Sequence, residues 1–534
     1  MYNNNKTNKH IAMLHRIFCI SLVCIVINGC TKDFKSTNTN TNSLSSVGTN
    51  EYPYMFSYAL MNPTLSPDNF EIGEGTIASV YSQFFSQAAT SFPTDRYVVV
   101  QAWMPACWNP VYVSAAPQLK TIMENTDPQS AENALANIWW TWMFHRVTDY
   151  FGPVPYFEAA SGNSSVAYTP QDSIYYDFFS RLTNAVNVLK NHLSEKPFGN
   201  FDLLYGSKGT PVPYWIKFAN TLRLRLAMRI SKVDPARAKT EAEAAAAAGT
   251  LEATGDDAYM PKNKVFYNEY NGLAVSAGWD DLRMSAAMES ILVGYNDPRL
   301  PIYFQPAVAT GEYSGVRNGL TAAEKTNVDA NSRPYNSNLG KRWTYWDLNV
   351  NDWKTNYDVP FDIMHAAEAY FLKAEGTLNG WNMGGETAKS YYEQGIKTSM
   401  AQWGITDQTA IDNYVQSANK PVATNDYFNS PAVNDYPIAW SGDATMQRKQ
   451  VAQQKWLALF PDGMEGWAEV RRSGYPALYH IIHSDNPDIT PDQFIRRMTY
   501  LDNETQSNGA AVTKAVQMLG GPDKVTTPLW WDKN

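Results

Sequence analysis

Residues 447–476, QRKQVAQQKWLALFPDGMEGWAEVRRSGYP, specify both ends of a helical hairpin and constrain the fold more than any other stretch. Ala452, Trp456, Leu459 and Phe460 recur at i, i+4, i+7 and i+8, an apolar stripe at helical period. Pro461-Asp462-Gly463 breaks that run with turn chemistry. Asp462 and Glu465 have capping-box spacing, which puts one carboxylate on orphan N–H groups and the other near the positive end of the helix dipole. Met464, Trp467, Ala468 and Arg471 share one side of the second helix. Arg471 and Arg472 suit its C-terminus, Gly474 suits a left-handed cap, and Pro476 blocks continuation. A hairpin this apolar on one face cannot stand alone, so it predicts further helices around it.

Those helices are legible from residue 131 onward as three more pairs. Residues 131–150 couple with 170–193, where Ile174, Phe178, Leu182, Ala185 and Leu189 hold one face and Thr169-Pro170 reads as an N-cap followed by an N1 proline. Residues 212–231 couple with the alanine-rich 235–248. Trp215, Phe218, Leu222, Leu226 and Ile230 form the stripe, Asp234-Pro235 the start and Gly249 the stop. Residues 361–378 couple with 386–403, with Ile363, Ala367, Tyr370 and Ala374 facing inward. The expected fold is therefore mainly α, four antiparallel helix pairs in a tetratricopeptide-like scaffold, although no strict 34-residue period appears. Residues 75–88 also read as a helix, and residues 92–97 as a loop. Residues 250–360 form a loop-rich insertion, long enough to carry a binding surface.

The first 29 residues stand apart from that fold. Lys6, Lys9 and Arg16 precede an apolar run over residues 17–27, a signal-peptide pattern too short to span a bilayer. It ends in Asn28-Gly29-Cys30, which resembles a lipobox and predicts lipidation of Cys30, with residues 30–50 as a flexible tether and 51–534 as one helical domain. Cys19 and Cys24 lie in the discarded segment, so Cys107 is left without an intrachain partner. Removing residues 1–29 takes away three basic and no acidic side chains, moving the formal charge from −9 to −12. An acidic exported chain is a poor nucleic-acid binder. The reading is a chain anchored to a membrane by lipid.

Catalytic patterns are sparse: no HExxH, no Walker loop and no GxSxG. No cofactor or metal is expected, and the chain reads as a binding protein without catalytic residues. His480 and His483, with Asp485 nearby, read as a surface helix end rather than a metal site. The run Asp347-Leu348-Asn349-Val350-Asn351 has alternate oxygen ligands, but Asp352 replaces the calcium-loop glycine and Asp358 the final glutamate, so a solvated loop or short strand is expected. Arg223, Arg225 and Arg229, with Lys232, read as the solvated face and C-terminal end of a helix.

The aromatics carry more. A flat ring stacks on the apolar C–H face of a sugar, with neighbouring Asp, Asn or Arg bonding the hydroxyls. Of the 17 tryptophans, Trp139, Trp140, Trp142, Trp215, Trp456 and Trp467 lie in helices and read as core. Trp103, Trp279, Trp343 and Trp346 lie in loop-like context. The expected ligand surface is built from the 92–108 and 279–346 regions: Asp95, Arg96, Tyr97, Trp103, Trp279, Trp343 and Trp346, with Asp280, Asp281 and Arg342 as polar company.

Residues 147–156 (VTDYFGPVPY), 215–229 (WIKFANTLRLRLAMR), 296–301 (NDPRLP), the opening hairpin and the terminal Leu529-Trp530-Trp531-Asp532 together resemble the SusD/RagB family, in its SusD-like nutrient-binding branch. The resemblance runs over nearly the whole mature chain. It implies a surface-exposed outer-membrane lipoprotein with four tetratricopeptide-like helix pairs, partnered with a SusC-like TonB-dependent transporter. It also implies an oligosaccharide ligand, or in some members a peptide, and no common catalytic residues. A helical-fold glycoside hydrolase and a pure protein scaffold are the rival readings.

Overall fold

The computed structural model describes residues 48–534 apart from 164 and 328–330. The leader, Cys30 and most of the tether lie outside the described residues. The chain divides into two units, Met1–Tyr52 and Pro53–Asn534, and the second holds every element named below.

Nine of the helices among the described residues form the pairs and position the site: α1 (Ala131–Phe151), α2 (Gln171–Leu189), α3 (Val212–Arg229), α4 (Pro235–Ala248), α5 (Gly272–Gly278), α6 (Ala366–Leu378), α7 (Ala388–Gln402), α8 (Ala444–Leu459) and α9 (Gly463–Ser473). α1 packs on α2, α3 on α4, α6 on α7 and α8 on α9, and α3 and α8 both touch α6. The fold is mainly helical. Local chemistry explains the boundaries. The Asp234 carboxylate accepts from the Arg237 N–H at 3.1 Å to start α4, and Gly249 at φ +91° ends it. Asp462 does the same for α9 through the Glu465 N–H at 3.1 Å, and Gly474 closes it at φ +80°. Ala238, Ala242 and Ala245 are fully buried, which lets α4 lie close on its neighbour. No helix among the described residues is long and apolar enough to cross a membrane.

The tryptophans assigned to helices are core. Trp139 stacks on Trp142 at 4.2 Å and donates to the Ala59 carbonyl at 2.8 Å. Trp456 is fully buried against Phe84, its indole N–H on the Ser82 carbonyl at 2.9 Å.

Three expectations change. First, Arg225 and Arg229 are buried ion-pair partners, not a solvated face. Arg225 grips Glu368 of α6 at 2.7 and 2.6 Å, and Arg229 grips Glu465 of α9 at 2.6 Å with Asp149 of α1 at 3.3 Å. Burial opposes ionisation of Glu465, yet Arg229 and Arg225 pull it down to about 2. The arginines point into the seam between helix pairs because that is where the facing helices place their carboxylates. Second, residues 361–364 are a strand and not the start of a helix, since they pair with residues 258–260 before His365 opens α6. Third, helix over 75–88 ends at Tyr81; Gln83 takes a left-handed φ of +55° and a strand follows. The stretch holding His480 and His483 is irregular, and His483 faces Glu324 at 3.0 Å.

Eight short strands are present among the described residues: β1 (Phe85–Gln87), β2 (Val154–Pro155), β3 (Tyr168–Thr169), β4 (Ala258–Met260), β5 (Leu282–Met284), β6 (Thr344–Asp347), β7 (Asp352–Thr355) and β8 (Phe361–Met364). They pair antiparallel as β1–β5, β2–β3, β4–β8 and β6–β7. The β1–β5 pair ties the early chain to the middle insertion.

Candidate functional site

The register of β1 on β5 sets Gln87 opposite Leu282, and the Ala88 N–H then donates to the Asp281 carbonyl at 2.8 Å. The loop that leads to Phe92 therefore leaves the pair beside Asp281. The segment from residue 88 to Trp103 and the segment beginning at Trp279 share this junction.

Trp279 ends α5. Asn271 caps the other end of that helix, its side-chain oxygen accepting from the Ala274 N–H at 3.0 Å. Asn271 also binds the Tyr357 carbonyl at 2.8 Å through its backbone and the Val359 carbonyl at 3.0 Å through its amide. This locks α5 to the chain that follows the β6–β7 hairpin. Gly278 completes the fit: a Cβ there would run into the Thr355 hydroxyl of β7, which would have to turn away. Trp279 stands beyond this contact, 44% exposed.

The hairpin supplies further rings. Trp346 and Trp353 are cross-strand partners and meet edge to face at 5.3 Å. The Arg283 guanidinium lies 5.4 Å from the Trp353 ring centroid. Tyr345, one residue out of phase, is on the opposite face and 40% exposed. Beyond the hairpin Tyr357 stacks on Tyr270 at 4.4 Å, and Tyr267 stands edge-on to Tyr270 at 5.6 Å. Asp280 bonds Arg283, and Asp281 pairs with Arg333 at 3.2 Å. Burial raises the Asp281 pKa while Arg333 opposes it. Beneath α5, burial pushes Glu71 up to about 8, with Ser276 lowering it and Asp281 adding to the rise.

The sequence-selected residues divide. Trp103 and Trp346 keep partial exposure, and Trp103 sits edge-on to Phe92 at 5.5 Å. Asp95 is fully buried on Lys325 at 3.0 Å. Arg96 reaches Asp485 at 2.6 Å and the Leu320 carbonyl at 3.0 Å, and the buried Tyr97 donates to the Gln493 carbonyl at 3.1 Å. These three brace the early loop from below rather than present themselves to a ligand. Trp343 is a correction: it is fully buried, 5.8 Å from both Trp403 and Phe460. Arg342 follows it inward, over Trp343 at 5.3 Å and onto Asp362 at 3.3 Å. Arg333, Trp353 and the Tyr267–Tyr270–Tyr357 rings were not selected. The repeated tyrosines at 267 and 270, just before the Asn271-Gly272 helix start, were the available signal. Asp347 and Asp352 face each other across the hairpin. Among the described residues no group of three or more His, Cys, Asp or Glu is gathered to hold a metal.

Comparison with known proteins adds three findings. A family model described as SusD-like, the SusD and RagB outer-membrane lipoproteins, matches residues 31–532. Comparison with curated proteins gives no match. Among solved structures, a chitin-binding SusD homolog from Flavobacterium johnsoniae is 33% identical at a TM-score of 0.81, covering 91% of this chain and 99% of its own. A SusD homolog from Bacteroides vulgatus is 28% identical at a TM-score of 0.80, covering 91% and 98%. A further chitin-binding protein is 26% identical at a TM-score of 0.73, covering 90% and 100%.

Proposed function

The chain belongs to the SusD-like family of outer-membrane lipoproteins, and from that premise we propose that it captures an oligosaccharide at the cell surface and passes it to a SusC-like TonB-dependent transporter. The observation that carries this reading is the aromatic surface of Trp279 and the β6–β7 hairpin, beside the β1–β5 pair from which the early loop departs. Partly exposed rings there give flat stacking faces, and the neighbouring acids and arginines give hydrogen bonds to hydroxyl and amide groups. Asp280 is balanced from beneath by the buried Arg283 and Asp281 by the part-exposed Arg333, so these four groups leave no net charge at the rim. That suits a neutral sugar. With chitin-binding proteins among its structural relatives, an N-acetylglucosamine oligosaccharide is the first ligand to try.

The protein acts in this reading by binding, without catalysis. Cys30 carries the lipid, and the four helix pairs serve as a tetratricopeptide-like scaffold that spends its own aromatics on packing. One acyl chain binds a membrane only marginally, so the transporter supplies the second hold. Calorimetry of the purified lipoprotein with chitooligosaccharides tests the reading. Saturable heat that is lost in Trp279→Ala supports it. Release of new reducing ends, or binding only of peptides, would replace it.

A further inference from the structure

A cavity of about 670 Å³ opens among the helix pairs, at the C-terminal ends of α3, α6 and α9. It shares no lining residue with the aromatic surface. Its floor is an ion network that neutralises itself. Arg472 holds Glu375 at 2.7 and 2.6 Å and Glu469 at 3.0 and 2.7 Å, while Lys455 holds Glu469 at 2.8 Å and Glu375 at 3.6 Å.

The rim is different. Lys232 donates to the Ser473 carbonyl at 3.5 Å and to the Asn534 side chain. Arg448 donates to the Leu378 carbonyl at 2.9 Å and to the Asn379 side chain at 2.7 Å. All four partners are neutral oxygens. Among the described residues neither cation has a carboxylate within ion-pair distance, and both keep donors to spare. Two cations without a directly paired carboxylate thus stand over a concave site, bonded to helix-end oxygens, with the floor's Glu375 acting on both at longer range. Burial lowers the Lys232 pKa and Arg472 adds to that, against the opposing pull of Glu375, Asp532 and Glu469, and a directly bound anion would act in the same sense as those acids. Two half-buried rings, Trp381 and Tyr475, complete the lining. The volume falls in the range of small-molecule sites, about 300–1,000 Å³, and suits one or two sugar rings.

We propose that this cavity binds a carboxylate-bearing pyranose, a uronic acid, with its carboxylate on Lys232 and Arg448 and its ring against Trp381 or Tyr475. A cationic pair fixes the acid, and the aromatic wall takes the sugar's C–H face. The site is separate from the neutral-glycan surface proposed above and stands or falls without it.

Calorimetry of the purified lipoprotein with digalacturonate, and with galactobiose as the neutral control, tests the inference. Digalacturonate is expected to bind, more weakly as salt is raised, and galactobiose is not. Lys232→Gln combined with Arg448→Gln is expected to weaken digalacturonate at least tenfold with an unchanged melting temperature. Lys232→Gln alone is read if the double variant melts early, and Trp381→Ala gives an independent loss. Trp279→Ala is expected to leave digalacturonate affinity intact. Absence of heat, equal binding of the neutral disaccharide, indifference to these cavity substitutions, or loss in Trp279→Ala would each overturn the proposal.

Discussion

Replacing Glu71 by glutamine should stabilise this protein, and more so as the pH rises. Glu71 is buried under α5, and burial lifts its pKa from 4.5 to about 8, with only Ser276 opposing the rise. Its folded value lies above its unfolded one, so the sign is fixed. Below pH 4.5 both states hold the proton and there is no penalty. Between 4.5 and about 8 the unfolded chain ionises while the folded chain cannot, so stability drains away as pH rises and levels off above about 8. At about 1.4 kcal/mol for each pH unit, the drain amounts to about 1 kcal/mol at pH 5 and about 4 kcal/mol at pH 8. Glu71→Gln keeps the shape, stays neutral and removes the drain. Urea denaturation of wild type and variant at pH 5 and pH 8 checks this. The variant should gain little at the lower pH and several kcal/mol at the higher. A gain independent of pH would show that Glu71 titrates alike in both states, and a loss at pH 8 that it is ionised and paired in the folded protein.

Trp279→Ala should weaken chitooligosaccharide binding by about 1–3 kcal/mol and leave the melting temperature nearly unchanged, measured by calorimetry and thermal scanning of the same samples. Trp343→Ala should do the reverse, costing about 3–5 kcal/mol of stability as a core cavity. Arg229→Met would strand Glu465 and Asp149 in the seam, and denaturation should register a loss of about 3–5 kcal/mol. His365 lies 3.5 Å from Asp257 and 3.2 Å from Asp362; its burial opposes charge, but those carboxylates lift it to about 9. Its contribution is full below its unfolded value of 6.5 and is lost as pH rises through about 9, so His365→Gln should cost about 3 kcal/mol at pH 6 and little at pH 10.

What the sequence disclosed depended on how local the cause was. Asp462 and Gly474 bracket α9, and Asp234 and Gly249 bracket α4, through contacts within a few residues, and these ends were legible. Arg225 and Arg229 were not, because Glu368 and Glu465 are 143 and 236 residues away along the chain. The same holds for β8, whose partner β4 precedes it by about a hundred residues; helical periodicity through residues 361–364 lost to strand pairing. At the candidate site, Trp343 and Trp346 look alike in sequence. The hairpin separates them: Trp346 is paired with Trp353 at its surface, while Trp343 precedes the strand and turns into the core beside Phe460. Tyr267, Tyr270 and Tyr357 escaped notice because their clustering comes from α5 drawing residue 357 back onto residue 271.

The central claim is a location: glycan on the aromatic surface, helix pairs as scaffold. Hydrogen exchange of the purified lipoprotein with and without saturating chitohexaose measures it most directly. The account predicts slowed exchange in residues 272–284 and 344–357 and in the loop between 88 and 103, with the four helix pairs unchanged. Protection confined to the helix pairs, or none at a concentration where calorimetry shows binding, would contradict it.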